Sequence, residues 1–251
     1  MENLKLSNIP AQIQQIIEPF LLDILANYKE DVNSIYIIGS AVTKDFHEKY
    51  SDINTLFVVK EIKFQIFDFI ASLGKRYGKK RIRAPRIMTR DYIQRSLEVF
   101  PLEFLEMKLI HRLVYGNDVL RDIKLEKSDI RLQCERELKG KLQHLCQAYI
   151  KAMGNKTTLT DALVGSVSGY FPVFRGILFL YDKEIPKGKG DVLYALNECC
   201  DIDVNIFMRL LDIKSKNIYH PIETLKEIFR ELYRVVDAIT KKVDEFEIKH
   251  A

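Results

Sequence analysis

Two short apolar runs constrain the first half of this chain more than any other feature. Ser34-Ile35-Tyr36-Ile37-Ile38 is β-branched and aromatic and stops at Gly39, and Thr55-Leu56-Phe57-Val58-Val59 repeats the pattern about fifteen residues later. Neither run alternates apolar with polar residues, so each reads as a strand covered on both faces, with helices expected on either side of the sheet. Ile13, Ile16, Ile17, Phe20, Leu21, Ile24, Leu25 and Tyr28 share one helical face ahead of the first run. Phe64 to Leu73 repeats helical spacing after the second and meets Gly74. Arg81 to Met88 reads as a third, basic strand, and Thr89 as the cap of a following helix. Pro101 to Gly116 fits both periodicities; a strand ending before Gly116 is the preferred reading.

From about Ser128 the pattern changes to helix after helix. Leu138, Leu142, Leu145, Cys146, Tyr149 and Ile150 form one stripe, and Leu225, Ile228, Phe229, Leu232, Val235, Val236, Ile239 and Val243 another. Three shorter candidates lie between them, near residues 160–181, 191–199 and 203–213, for a bundle of about five helices. The expected fold class is α/β (α+β) with a mixed sheet in residues 1–122, N-terminal helix included, followed by an all-α helical bundle in residues 123–251. Ile185-Pro186-Lys187-Gly188-Lys189-Gly190 lacks the preceding strand and the Gly-Lys-Ser/Thr ending of a phosphate loop, so it reads as a helix connector.

With 251 residues, 47% of them hydrophobic, the chain can bury a sizeable core. No basic start precedes an apolar leader and no segment approaches about 18 uncharged apolar residues, so the expectation is a soluble, cytoplasmic chain without a membrane partner. Cys134, Cys146, Cys199 and Cys200 contain no CxxC pair, which leaves reduced thiols rather than a zinc site as the expectation. The 39 basic and 35 acidic residues are too balanced for wholesale nucleic-acid binding. Their distribution is uneven: between Lys75 and Arg95 stand nine cations (Lys75, Arg76, Lys79, Lys80, Arg81, Arg83, Arg86, Arg90, Arg95) and one acid, Asp91. Such a stretch either faces water or contacts phosphate, as nucleotide or nucleic acid. A symmetric homodimer is compatible with the class, although no residue points to it.

The chemistry concentrates at the ends of the two strands. Gly39-Ser40 follows the first, and Asp52-Ile53-Asn54 precedes the second after eleven intervening residues. Glycine lets backbone approach a triphosphate, and a serine hydroxyl with neighbouring amides donates to phosphate oxygens. Two acids at i and i+2 on a strand share a face about 6–7 Å apart, where they can hold magnesium against those phosphates. Read blandly, Gly39-Ser40 is a tight turn and Asp52 caps the turn into a strand. His47, between the two elements, reads as an exposed loop residue, and His111, His144 and His220 as structural; no Ser-His-Asp arrangement can be argued from them.

Gly39-Ser40 with Ser51-Asp52-Ile53-Asn54-Thr55 resembles the nucleotidyltransferase superfamily, to which aminoglycoside and antitoxin-type nucleotidyltransferases belong. Phe100 to Phe104 with Leu113-Val114-Tyr115-Gly116 is similar to the region after the third strand in two-domain members, which append a helical domain. The resemblance implies transfer of a nucleoside monophosphate from an NTP to an acceptor, with Gly39 and Ser40 on the phosphates and Asp52 and Asn54 at the catalytic and magnesium positions. Asn54 departs from the family's Asp-x-Asp, since an amide brings no charge to the metal. The family's third acid belongs on the next strand, where this chain has Arg81, Arg83 and Arg86; Glu103 or Glu106 would have to replace it. Two readings follow from this degenerate pattern: a nucleotidyltransferase of low rate, or a catalytically inactive pseudoenzyme that binds nucleotide, nucleic acid or a protein partner.

Overall fold

The computed structural model describes residues 4–48, 51–216, 218 and 220–248. They fall into two compact units, Met1–Val99 with Glu106–Lys124, and Phe100–Leu105 with Leu125–Ala251.

In the first unit α1 (Ala11–Tyr28) buries Ile13, Ile17, Phe20, Leu21, Ile24 and Leu25, the face that the sequence periodicity marks. The strands are β1 (Val32–Ile38), β2 (Asn54–Val59), β3 (Arg86–Thr89) and β4 (His111–Gly116), with α2 (Phe64–Tyr77) before β3, and α3 (Arg90–Ser96) and α4 (Pro101–Leu109) before β4; the residues of α4 up to Leu105 belong to the second unit. Their order is β3-β2-β1-β4. β1 runs antiparallel to β2 and β4, whereas β2 and β3 are parallel, so the sheet is mixed. Ile35, Ile37, Phe57 and Val59 join the α1 residues in one core, and Ser34, Tyr36, Leu56 and Val58 are buried on the opposite face. Both faces are covered, which is why the strand residues show no alternation.

Two expectations need correction. The third strand begins at Arg86, not Arg81: Arg81 is left-handed at φ 60°, Pro85 has no N–H to give the ladder, and only Ile82 makes an isolated bridge, to Ile53. Pro101 to Gly116 is a helix followed by a strand rather than a strand alone. Pro101 suits the first helical position, and the nearly continuous run Leu102, Phe104, Leu105, Met107 and Ile110 is buried on several sides at once, so its spacing could not separate the two periods. Thr89 does cap α3, its hydroxyl accepting from the Tyr92 N–H at 3.1 Å.

The second unit contains α5 (Lys127–Ala152), α6 (Lys156–Ser166), α7 (Phe171–Leu180), α8 (Lys189–Cys200), α9 (Asn205–Lys216) and α10 (Ile222–Asp244), six helices among the described residues where about five were expected. The extra one arises because the candidate near residues 160–181 divides at a 3-10 turn, Val167–Tyr170, with Pro172 in the first turn of α7. By length and composition Lys156–Leu180 would suffice to cross a membrane, yet 61% of its most apolar 18-residue stretch is buried. Buried Arg175 donates to the carbonyls of Pro186 (3.2 Å) and Lys187 (2.7 Å), fixing the connector before α8. The cysteines are free thiols, and burial pushes Cys200 up to about 12.

Candidate functional site

The antiparallel register of β1 and β2 brings the two sequence motifs to one end of the sheet. Ile38, the last residue of β1, pairs with Asn54, the first of β2. Gly39 follows with φ 75°, a conformation that glycine adopts without strain, and starts a 3-10 turn, Gly39–Val42. A Cβ placed on Gly39 would lie 3.9 Å from Asn54 Nδ2, so this backbone and that amide are neighbours. The Gly39 N–H donates to the Ile110 carbonyl at 3.1 Å. Ser40 and Ala41 follow at the start of the turn, where amides lack acceptors within it. Beyond the turn, Ser51 N–H donates to the His47 carbonyl (2.8 Å) and His47 N–H to Ser51 Oγ (3.0 Å), a reciprocal pair that closes the loop just before Asp52.

Asp52 lies outside the ladder, two residues before the first residue of β2. Its carboxylate accepts from Arg83 Nε at 2.6 Å, with side-chain exposures of 30% and 68%. Backbone pairing brings this contact about: Ile53 N–H donates to the Arg81 carbonyl (2.9 Å) and Arg83 N–H to the Ile53 carbonyl (3.1 Å), stitching the segment before β3 to the residues between Asp52 and Asn54. Arg81 Nη1 also reaches the Ser51 carbonyl at 3.4 Å.

The parallel register explains what stands at the third position. Arg86 pairs with Leu56, and residues two apart on a strand share a face, so exposed Arg86 is on the face of Asn54. A guanidinium therefore occupies the stretch of β3 where the resemblance calls for an acid. Of the two alternative acids, Glu103 accepts from Gln133 Nε2 at 2.8 Å within the helical unit. No group of three or more His, Cys, Asp or Glu suited to a metal occurs among the described residues. One carboxylate already neutralised by arginine, one amide and one further guanidinium do not fit a two-metal centre, which needs several anionic oxygens to offset the cations.

Sequence reasoning did not assign His111 to this end of the sheet, yet it pairs with Ile38 on the side of β1 away from Asn54, about 9–10 Å from it across two strand spacings. Its Nδ1 faces the Met107 carbonyl at 2.8 Å, its Nε2 lies 3.5 Å from Asp118, and its ring meets Tyr36 edge-on. The ring is thereby held in a structural role. Burial is the main cause raising the Tyr36 phenol above its ordinary range.

The chain's sequence matches no family model and no curated protein. Its structure is similar to that of the spectinomycin adenyltransferase AAD(9) from Enterococcus faecialis, solved with ATP and spectinomycin: the TM-score is 0.50 at 15% identity, over 90% of this chain and 97% of that one. The chain has the nucleotidyltransferase fold. The four-stranded mixed sheet and the helices appended to it are the architecture that the motif pair implied, and likeness at this identity extends to the fold alone.

Proposed function

We propose that this protein binds a nucleoside triphosphate at the end of β1 and has lost efficient nucleotidyl transfer. The observation that carries the reading is the Arg83–Asp52 ion pair, which places a cation against the carboxylate that a divalent ion would otherwise hold. Arg86, on the face of Asn54, adds a second cation. A planar guanidinium donates two parallel hydrogen bonds to a phosphate, so arginines can hold a polyphosphate without a metal. The Ser40 hydroxyl and the first amides of the Gly39–Val42 turn supply neutral donors beside them.

The exposed cations from Lys75 to Arg95 extend this positive field and support contact with longer polyanions, nucleic acid included. A second reading, slow transfer of a nucleoside monophosphate to a hydroxyl acceptor, is supported by the retained approach of Gly39 to Asn54, two residues after Asp52.

Pyrophosphate release from ATP with magnesium, measured over a panel of hydroxylated acceptors, separates the two. The proposal expects none from the wild type, and none from Asn54→Asp alone because Arg83 still holds Asp52. Asn54→Asp combined with Arg83→Ala and Arg86→Glu is expected to bring turnover up from the background. Robust release by the wild type would overturn the loss of transfer.

A further inference from the structure

A second site lies on the other flank of Arg83. A cleft of about 400 Å³ runs between the C-terminal half of α2 and the segment 82–87, within the first unit. Its walls include Phe67, Ile70, Leu73, Ile82, Pro85 and Ile87, and Phe20 of α1 also contributes. Arg83 is the single charged residue among them. The α2 wall follows one helical stripe, from Phe67 through Ile70, Ala71 and Gly74 to Tyr77.

Small residues keep this cleft open. Ala71, Gly74, Gly78 and Ala84 line it where larger side chains would close it, and a Cβ built on Gly74 or Gly78 meets no atom within 4 Å. Glycine inside a helix costs about 1 kcal/mol relative to alanine, and no neighbour crowds Gly74 to require it. Ligand sites are commonly concave, about 300–1,000 Å³, mostly apolar, and carry one or two polar groups that set orientation. This cleft meets each criterion.

We propose that the cleft binds a small anionic amphiphile, a compound with an apolar body and a carboxylate head, through Arg83. Charge complementarity selects the head. Arg83 spends Nε on Asp52 and keeps the donors of its two terminal nitrogens, while Lys79, Lys80, Arg81 and Arg86 surround it in the chain with no acid among them. The lining is apolar apart from Arg83 and Tyr77, and Tyr77 gives its hydroxyl to Asp23 at 2.7 Å, so the cleft selects an alkyl or alicyclic body over a nucleobase, whose edge would be left unpaired. The cleft shares Arg83 with the proposed phosphate site but includes neither Gly39 nor Ser40, and the inference does not depend on nucleotide binding because its test uses none.

Decanoate and decanol test it, both used below micellar concentration with the full chain and no nucleotide, with binding read by calorimetry. Decanoate is expected to bind about tenfold more tightly than decanol, the scale of one charge-assisted hydrogen bond. Arg83→Gln is expected to remove that preference while leaving decanol unchanged, and Ala71→Trp, at an exposed helical position, to abolish binding of both. Gly74→Leu, which favours the helix, serves as a second blocking variant should Ala71→Trp fold poorly. Equal affinities in the wild type, a preference that survives Arg83→Gln, or undiminished binding in the blocked variants would each overturn the proposal.

Discussion

Gly39 and Gly116 have nearly the same backbone conformation, φ 75° and 77°, in different surroundings, and replacing each with alanine separates backbone strain from steric exclusion. The left-handed region costs a non-glycine residue about 1–2 kcal/mol, offset by about 0.4–1 kcal/mol because alanine also restricts the unfolded chain. At Gly39 the new Cβ would stand 3.9 Å from Asn54 Nδ2, ordinary contact distance, so strain is the whole effect and the net loss is about 0.5–1.5 kcal/mol. At Gly116 the Cβ would lie 1.9 Å from the Asn33 carbonyl oxygen and 2.9 Å from its carbon, both backbone atoms of the strand next to β4. The end of β4 must then move away from β1, adding an overpacking term of about 1–3 kcal/mol. Gly116→Ala is therefore expected to destabilise the sheet unit by about 2 kcal/mol more than Gly39→Ala, roughly a 30-fold difference in its unfolding equilibrium. Urea titration at 25 °C gives the midpoints, and amide exchange at Ile35 and Val114 reports the sheet directly, since a chain of two units need not unfold in one step. Costs equal within about 0.5 kcal/mol would refute the steric argument. Gly39→Ala should also weaken ATP binding despite its mild effect on stability, because it adds a methyl group where backbone is held to approach phosphate.

Three further outcomes follow from the structure. The Tyr170 hydroxyl is buried with no hydrogen-bond partner, so Tyr170→Phe is expected to leave the urea midpoint unchanged or raise it by up to about 1 kcal/mol of stability; a loss above about 1 kcal/mol would mean that the hydroxyl is satisfied. Burial raises Cys200 from 9.0 to about 12, so the neutral thiol's contribution is intact below pH 9 and is lost as pH climbs towards 12; Cys200→Ala should flatten the fall in stability over that window, and an unchanged slope would contradict it. Arg86→Ala is expected to weaken metal-free ATP binding about tenfold, read by calorimetry in EDTA, and an unchanged affinity would remove Arg86 from the phosphate site.

Much of the first unit was legible because its signals are local. The stripe from Ile13 to Leu25 and the two continuous apolar runs needed no tertiary information, and the sharp turn at Gly39 follows from two adjacent antiparallel strands. Locality also explains the misses. Residues 101–109 carry apolar groups at both helical and strand spacing because they are buried on several sides, so periodicity could not decide. The third strand looked longer than it is because a basic run without turn residues hides the left-handed Arg81, and Pro85 shortens the ladder. At the candidate site, the spacing of Gly39-Ser40 and Asp52-Ile53-Asn54 pointed to neighbouring strand ends, whereas nothing in it pointed to the Arg83–Asp52 pair. It depends on which way the segment after α2 returns along β2, and a parallel crossover leaves no mark in the residues it joins. The apolar cleft was hidden for the same reason, being assembled from α1, α2 and that returning segment.

Thermal stabilisation of the wild type by ATP, in EDTA and in magnesium, tests the central claim most directly. If arginines have taken over from metal ions at this end of the sheet, a hundredfold excess of ATP over its dissociation constant should stabilise the protein by about 2.7 kcal/mol in either buffer. Stabilisation that vanishes in EDTA and returns with magnesium would instead identify a working metal site, and the assignment of Arg83 and Arg86 would fail.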